Sequence, residues 1–462
     1  MWSPVFDHVT VTTMMSSRAL RVGTARVDIT PRHLPAIVNG DFFERHLSIV
    51  DDPLSVRAVV LDDGMTRIAM AVVDSCLISA EMFELVKKSV AETTGLPTEH
   101  LMISATHCHS APSVLAILGS GIDQHYADWL PGQIAESIVQ ANANLVDAAF
   151  GVAADADPEN VFCRRFIMKP GMAWTENRAF TGSPGDIAQM NPEGKQSDIV
   201  CPTGRPDPTV NVFAVTKTDG TPLVVFGNYS THYAGAEHLS ADYFGVFAER
   251  IGTLLGAGSD FLGIMSNGTS GDTNCIDFRN PARTFDRFSV GESVARAAHR
   301  AYEKIEFSRA VTIDTMERTL EIGIRKPTSE QVALAERHLA GRDALKSIED
   351  VYARETLLLH ASPDTVRLKL QATRIGTLGI VAIPCEVFSA TGREIRSASP
   401  FSHTFIVSHA NGAFGYLPTA DSFMLGGYTT WRARSSMLEE TAERQIRLAS
   451  LKMLDQLAER IV

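Results

Sequence analysis

Ile103-Ser104-Ala105-Thr106-His107-Cys108-His109-Ser110-Ala111-Pro112 is the stretch that decides how the rest of this chain reads. A short apolar run, Leu101-Met102-Ile103, leads into small residues and then into two histidines separated by one cysteine. The run predicts a strand. On an extended backbone alternate side chains share a face, so His107 and His109 are expected to project together from the strand end, with Cys108 turned away into packing. Two imidazoles converging there can bind zinc, or one can bind it while the other handles a proton. His-x-His alone fits an exposed pair of loop histidines equally well, so the other strands must decide.

Working outward, residues 56–62 and 68–74 are apolar, β-branched runs joined through Asp63-Gly64, a hairpin signal. Residues 79–92 carry helical spacing (Met82, Phe83, Val86, Val90) that Gly95-Leu96-Pro97 stops. This strand–helix–strand rhythm predicts an α/β or α+β layered core. Residues 21–30 read as a first strand after a loose leader over 1–20. Further apolar strands are expected at 223–226, 261–265, 366–371, 378–383 and 405–407. Helices are expected at 126–145 with Pro131 near the start, at 242–255 and 290–305, from the capping box Thr328-Ser329-Glu330-Gln331 to about 348, and at 435–461. Residues 169–205, rich in Gly, Pro, Asn and Ser, read as one long loop of the kind that is functional or disordered.

Composition narrows the class of function. A chain of 462 residues with 45% hydrophobic and 21% charged residues is an ordinary globular one, and a net charge of −12 argues against non-specific nucleic-acid binding. Six scattered cysteines without a Cys-x-x-Cys pair suggest a reduced, cytoplasmic chain. No apolar run approaches membrane-spanning length, and the first twenty residues lack the pattern of a signal peptide. Nothing in the sequence sets the oligomeric state.

Several of the strands end in a group that binds metals or shuttles protons. His107 and His109 follow one, His232 another, Glu386 another, and residues 411–416 follow the strand at 405–407. Open α/β sheets place ligand sites beyond the carboxyl ends of their strands, so these groups can meet in one crevice. Two imidazoles, a carboxylate and a fourth oxygen make a zinc shell with room for water. Singly, His232 reads as a satisfied core or surface histidine and Glu386 as a helix-start charge. Their conjunction carries the information.

The same motifs, in order along nearly the whole chain, give it a resemblance to the catalytic domain of the neutral/alkaline non-lysosomal ceramidase family, nearer its shorter bacterial members. They are Thr106-His107-Cys108-His109-Ser110-Ala111-Pro112, Cys163-Arg164-Arg165, Thr231-His232, residues 267–274, Pro384-Cys385-Glu386 and Gly415-Tyr416-Leu417-Pro418-Thr419. The resemblance implies an α/β fold of layered mixed sheets flanked by helices, in a single catalytic domain over 21–462 without a C-terminal β-sandwich domain. It also implies one Zn2+ per chain, held by His107, His232, Glu386 and Tyr416. His109 would then lie beside the metal water, Arg164 would meet the substrate, and Tyr428 would hydrogen-bond the scissile amide carbonyl. One departure stands out: where the family carries Gly-Asp-x-Ser-Pro-Asn, this chain reads Gly271-Asp272-Thr273-Asn274, with Asn274 in the place of the serine.

These readings lead to a zinc amidohydrolase acting on a small-molecule linear amide, smaller or more soluble than ceramide. His109 is the expected general base and later acid. Asp272 and Asn274, on a Gly-rich turn, and Asp74, at another strand end, are expected to orient a ligand histidine. Rival readings keep the metal and change the bond to an ester or lactone, or make the chain a non-catalytic zinc-binding protein. A nucleotide-binding reading of 267–272 lacks the Gly-Lys-Ser/Thr ending of a P-loop.

Overall fold

A computed structural model describes residues 19–174, 178–182 and 185–460. Most of the expected leader, residues 1–18, lies outside the described residues. Leu20, its last residue, is a buried core residue whose backbone N–H donates to Arg309 O.

The apolar strands assemble into an eight-stranded mixed sheet. Its spatial order is Leu262–Asn267, Pro222–Tyr229, Thr209–Lys217, Val146–Ala156, Arg21–Asp28, Ser55–Asp62, Arg67–Val73 and Leu101–Ala105. The hairpin signal at Asp63-Gly64 is met by antiparallel pairing of Ser55–Asp62 with Arg67–Val73. Strands buried on both faces read as continuous apolar runs, and period-2 alternation sorts their side chains into two different cores. Val56, Ala58 and Val60 face helices Ala80–Thr94 and Gln124–Ala143. Val59, Leu61, Met70 and Val72 face a second, four-stranded sheet made of Ile313–Gly323, Thr365–Ile375, Leu378–Ala382 and His403–Val407. The outer face of that sheet is covered by Ile446, Met453, Leu454 and Leu457 of helix Ala442–Glu459. The architecture is therefore helices, sheet, sheet, helices, as the layered α/β expectation required.

Both sheets are antiparallel over most of their width and parallel in three pairs. These pairs are Arg67–Val73 with Leu101–Ala105, Pro222–Tyr229 with Leu262–Asn267, and Leu378–Ala382 with His403–Val407. Their carboxyl ends are tied to one another. Ala105 N donates to His409 O at 3.2 Å, Ser408 N to Asn267 O at 3.0 Å, and Asn267 Nδ2 to Thr106 O at 3.0 Å. Three crevices of the kind expected beyond parallel strands thus coincide, and that point is the functional centre of the fold.

Four expectations about elements need correction. Pro131 lies about two turns inside helix Gln124–Ala143, because the Asp123 side chain caps Tyr126 N and starts the helix earlier. The expected loop 169–205 is not one loop: Ala188–Met190 and Ile199–Pro202 within it flank Arg165–Met168 in a three-stranded sheet. The helix opened by the Thr328 capping box ends at Leu339, and a second, Ile348–Ala361, starts at a new box on Ser347. Residues 435–441 precede the last helix rather than belonging to it.

The second of these boxes yields a pH prediction. Asp350 accepts from His338 Nε2 at 2.7 Å, Lys346 N at 2.8 Å and Ser347 N at 2.9 Å. Burial works against its charge, but these donors prevail and hold its carboxyl down at about 2. A depressed carboxylate stabilises above its unfolded pKa of about 3.9, and that contribution fades as pH falls toward 2. Asp350→Asn is expected to lose about 2 kcal/mol in urea unfolding at pH 7, with the gap to the parent closing between about pH 4 and 2. A gap that stays constant across that range would disprove the ionic role.

Candidate metal centre

The extended geometry of the strand is abandoned just where the first histidine appears. Strand Leu101–Ala105 stops, and His107 adopts φ 69, a left-handed conformation that costs a non-glycine residue about 1–3 kcal/mol. His107 and His109 do converge, with Nε2 atoms 3.2 Å apart, but through this turn and not through strand alternation. Cys108, between them, points into the helix-side core as expected. His409 and Asn411, also at left-handed φ of 53 and 61, close the opposite side of the junction.

His232 arrives from the end of Pro222–Tyr229, and its Nε2 lies 3.1 Å from His107 Nε2. Glu386 arrives just after Leu378–Ala382, with Oε2 3.5 Å from His107 Nε2. The donor atoms of His107, His232 and Glu386 all lie within 4.8 Å of one another, and all three residues are buried. Glu386 and Tyr416 are direct partners in a short parallel pair, which explains why a tyrosine so far along the chain reaches the same place. Arg164 Nη2 donates to Tyr416 OH at 3.1 Å and to Gly271 O at 3.0 Å.

The donor set fits a divalent cation. His107 Nδ1–H donates to Cys76 O at 2.9 Å and His232 Nδ1–H to Ser270 O at 3.3 Å, which leaves both Nε2 lone pairs facing each other. One shared proton would satisfy that pair of nitrogens but not Glu386 Oε2, which is buried without a hydrogen-bond partner among the described residues. The electrostatics agree. Burial opposes charge on His107, yet the neighbouring Cys76 and Glu386 outweigh it and push its pKa up to about 10. Burial, with His107 and Arg164 nearby, holds His109 and His232 well below the usual histidine range. The cluster thus has room for one positive charge at its centre.

The cluster opens into a cavity of about 200 Å³. Larger grooves of about 610 and 640 Å³ run beside Arg26 and Leu262 but contain no histidine. His109 stacks on Tyr233, with centroids 3.9 Å apart, and is covered by Gly40. A Cβ at Gly40, whose φ is 101, would sit 2.2 Å from His109 Nδ1. Tyr428 lines the cavity, receives a hydrogen bond from Asn191 Nδ2 at 3.4 Å, and packs edge-on against Tyr416 at 6.0 Å.

The three expected orienting residues sit near the site but their hydrogen bonds go to groups other than a histidine ring. Asp272 accepts from Ser389 N at 2.7 Å and Ser389 Oγ at 3.1 Å, fixing the segment that follows Glu386. Asn274 pairs with Phe162 in the short ladder that delivers Arg164. Asp74 is bound to Arg57 Nη1 and Ser55 N, each at 2.8 Å. The ring nitrogens of His107 and His232 instead find main-chain carbonyls, partners that no side-chain motif announces.

Sequence reading did not pick out Gly40, Phe42, Cys76, Asn191, Tyr233 or His409. Asn39-Gly40 is a turn signal, and Tyr233 directly follows His232, but neither points to the cavity by itself. His409 is buried, stacks on His107 at 4.1 Å, and has no partner for either ring nitrogen among the described residues.

No protein-family model matches the chain, and no curated protein is similar to it in sequence. Its structure is similar to that of a neutral ceramidase from Pseudomonas aeruginosa, with TM-score 0.71 and 16% identity over 96% of this chain and 75% of that one. A ceramidase complexed with C2 matches at TM-score 0.71 and 15% identity, over 96% of this chain and 76% of that one. The chain shares its fold with neutral ceramidase.

Proposed function

We propose that this chain is a zinc-dependent hydrolase of linear N-acyl amides smaller than ceramide. The observation that carries the reading is the meeting of His107, His232 and Glu386, two of which, His107 and Glu386, line a cavity that also presents His109, Arg164 and Tyr428. His107, His232 and Glu386 would hold one zinc per chain, with Tyr416 as the fourth ligand by the family resemblance. Zinc, when bound, lowers the pKa of water to about 7 and polarises a carbonyl.

The chain's own groups supply the rest. His109, held neutral in its stack on Tyr233, accepts the proton of the attacking water and returns it to the leaving nitrogen. Arg164 and Tyr428 donate to the developing oxyanion, each donor being worth about 3 kcal/mol. Asp272, Asn274 and Asp74 act by positioning the segments that carry Glu386, Arg164 and His107. A serine acyl-enzyme is not part of the proposal. Asn274 carries no hydroxyl, and Ser270 Oγ lies behind the His232 ring, 3.5 Å from Nδ1 and bonded to Asn267 Oδ1 at 2.7 Å. The six cysteines are free thiols, which suits the reducing, cytoplasmic setting expected from the sequence.

Cavity size supports a small substrate. About 200 Å³ is below the 300–1,000 Å³ typical of drug-sized ligands. Phe42 narrows it, lying edge-on to Tyr428 at 5.8 Å and tilted against Tyr352 at 6.3 Å. A panel of N-acyl amides of graded length, with matched esters, tests both claims in zinc-loaded and chelated protein. Short amides are expected to be cleaved only with zinc. Phe42→Ala is expected to gain about fourfold in kcat/KM for each methylene the parent excludes. Cleavage of no amide at any length removes the function; a parent that prefers the longest acyl chain removes the size limit.

A further inference from the structure

His107 belongs to a second group of donors, one member of which, Cys76, the hydrolase reading leaves unused. Cys76 Sγ lies 3.7 Å from His107 Nδ1, and the donor atoms of Cys76, His107 and His109 lie within 4.8 Å of one another. Cys76 is 1% exposed, yet it lines the same cavity as the two histidines, delivered there by the end of strand Arg67–Val73. Among the described residues, no other cysteine joins two further donors in this way. Cys108, which sits between the histidines in sequence, is packed into the helix-side core.

We propose that Cys76, His107 and His109 form a second site for a thiophilic cation such as Cd2+ or Cu+, adjoining the His107–His232–Glu386 triad. The two triads share His107 but differ in softness. One offers a carboxylate and two imidazoles, the other a thiolate and two imidazoles, and soft cations select the thiolate. On binding, the S–H bond of Cys76 is exchanged for a sulfur–metal bond and the proton leaves to buffer; no oxidant or reductant is involved. Occupation engages His109 and competes for the His107 ring, whose Nδ1–H bond to Cys76 O fixes its present orientation. Excess soft metal would therefore stop any reaction run by the first triad, which makes the second an inhibitory site. The inference shares the cleft of the proposed hydrolase but does not depend on hydrolysis.

Cadmium titration of metal-free protein tests it by absorbance, without an activity readout. The background is Cys201→Ser, because Cys201 is the exposed thiol. In this protein a thiolate-to-cadmium charge-transfer band is expected to saturate with one thiolate site per chain. Cys76→Ser should abolish the band while leaving one zinc bound. His109→Ala should keep the band and weaken the affinity at least tenfold. A band of undiminished size in Cys76→Ser, or an affinity unchanged in His109→Ala, overturns the proposal. X-ray absorption at the cadmium edge of the unsubstituted chain covers the case of a variant that does not fold. One sulfur and two nitrogens in the first shell support the site, and a shell of oxygen and nitrogen alone overturns it.

Discussion

Alanine at His232 is expected to leave a folded chain that binds no stoichiometric zinc and hydrolyses its amide at least about a thousandfold more slowly. The residue is 1% exposed, but the hydrogen-bond partners of its ring among the described residues are His107 at 3.1 Å and Ser270. Its removal therefore takes away a ligand without breaking a structural ion pair. His107 faces His232, His109 and Glu386 at once, so its replacement removes a ligand together with the ion-pair partner of Glu386. Elemental analysis, turnover and melting temperature with and without zinc read the three parts separately. Zinc at a thousand times its Kd stabilises a native protein by about 4 kcal/mol, so the parent should melt higher on zinc addition and the variants should not. A purified His107→Ala/His232→Ala chain that works at the parent rate would show that the chemistry lies elsewhere.

The largest effect on stability is expected at Asp74. Its carboxylate accepts from Arg57 Nη1 and Ser55 N at 2.8 Å, in a pair whose side chains are 0% and 3% exposed. Burial raises the pKa of Asp74 in spite of the guanidinium, so the pair is held against a substantial desolvation cost. Asp74→Ala leaves the Arg57 charge buried and uncompensated, and should lower unfolding free energy by about 3–5 kcal/mol. Replacing both residues by apolar ones of similar volume should recover much of that loss. The site would suffer too, because Ser75 O, one residue on, accepts from His107 N at 2.9 Å. Urea midpoints and m values for the three proteins decide it; a loss below about 1 kcal/mol in Asp74→Ala would mean that water reaches Arg57 readily.

What could be read from the residues follows from how far each signal reaches along the chain. Fully apolar runs such as those at 68–73 and 378–382 announce strands because burial on both faces leaves no polar position. Ser79 and Gly95 announce the ends of a helix because capping is local; Ser79 does accept from Met82 N, and Gly95 does take φ 74. Strand Val146–Ala156 gives no such signal. It is rich in Ala, Gly and Asp, and it is held by pairing with a strand more than fifty residues away along the chain. The short strands within 169–205 are likewise stabilised by a partner, Arg165–Met168, and not by their own pattern.

The site divides in the same way. His107, His232 and Glu386 are legible because each stands where an apolar run ends, and sheet topology makes such ends converge. The turn at His107 is not, since a left-handed histidine is imposed by its surroundings. Tyr416 and Tyr428 could be placed only through the family motifs, because a tyrosine after a strand is ordinarily a packing residue. Cys76 and His409 escaped notice because what marks them is proximity across the fold, to His107 in both cases.

Anomalous diffraction from zinc-loaded crystals, recorded on both sides of the zinc edge, tests the metal centre most directly. One peak per chain is expected between His107 Nε2, His232 Nε2 and Glu386 Oε2, with Tyr416 OH on the same ion. Crystals loaded with zinc that show no peak there, or a single peak held by other side chains, would contradict the assignment.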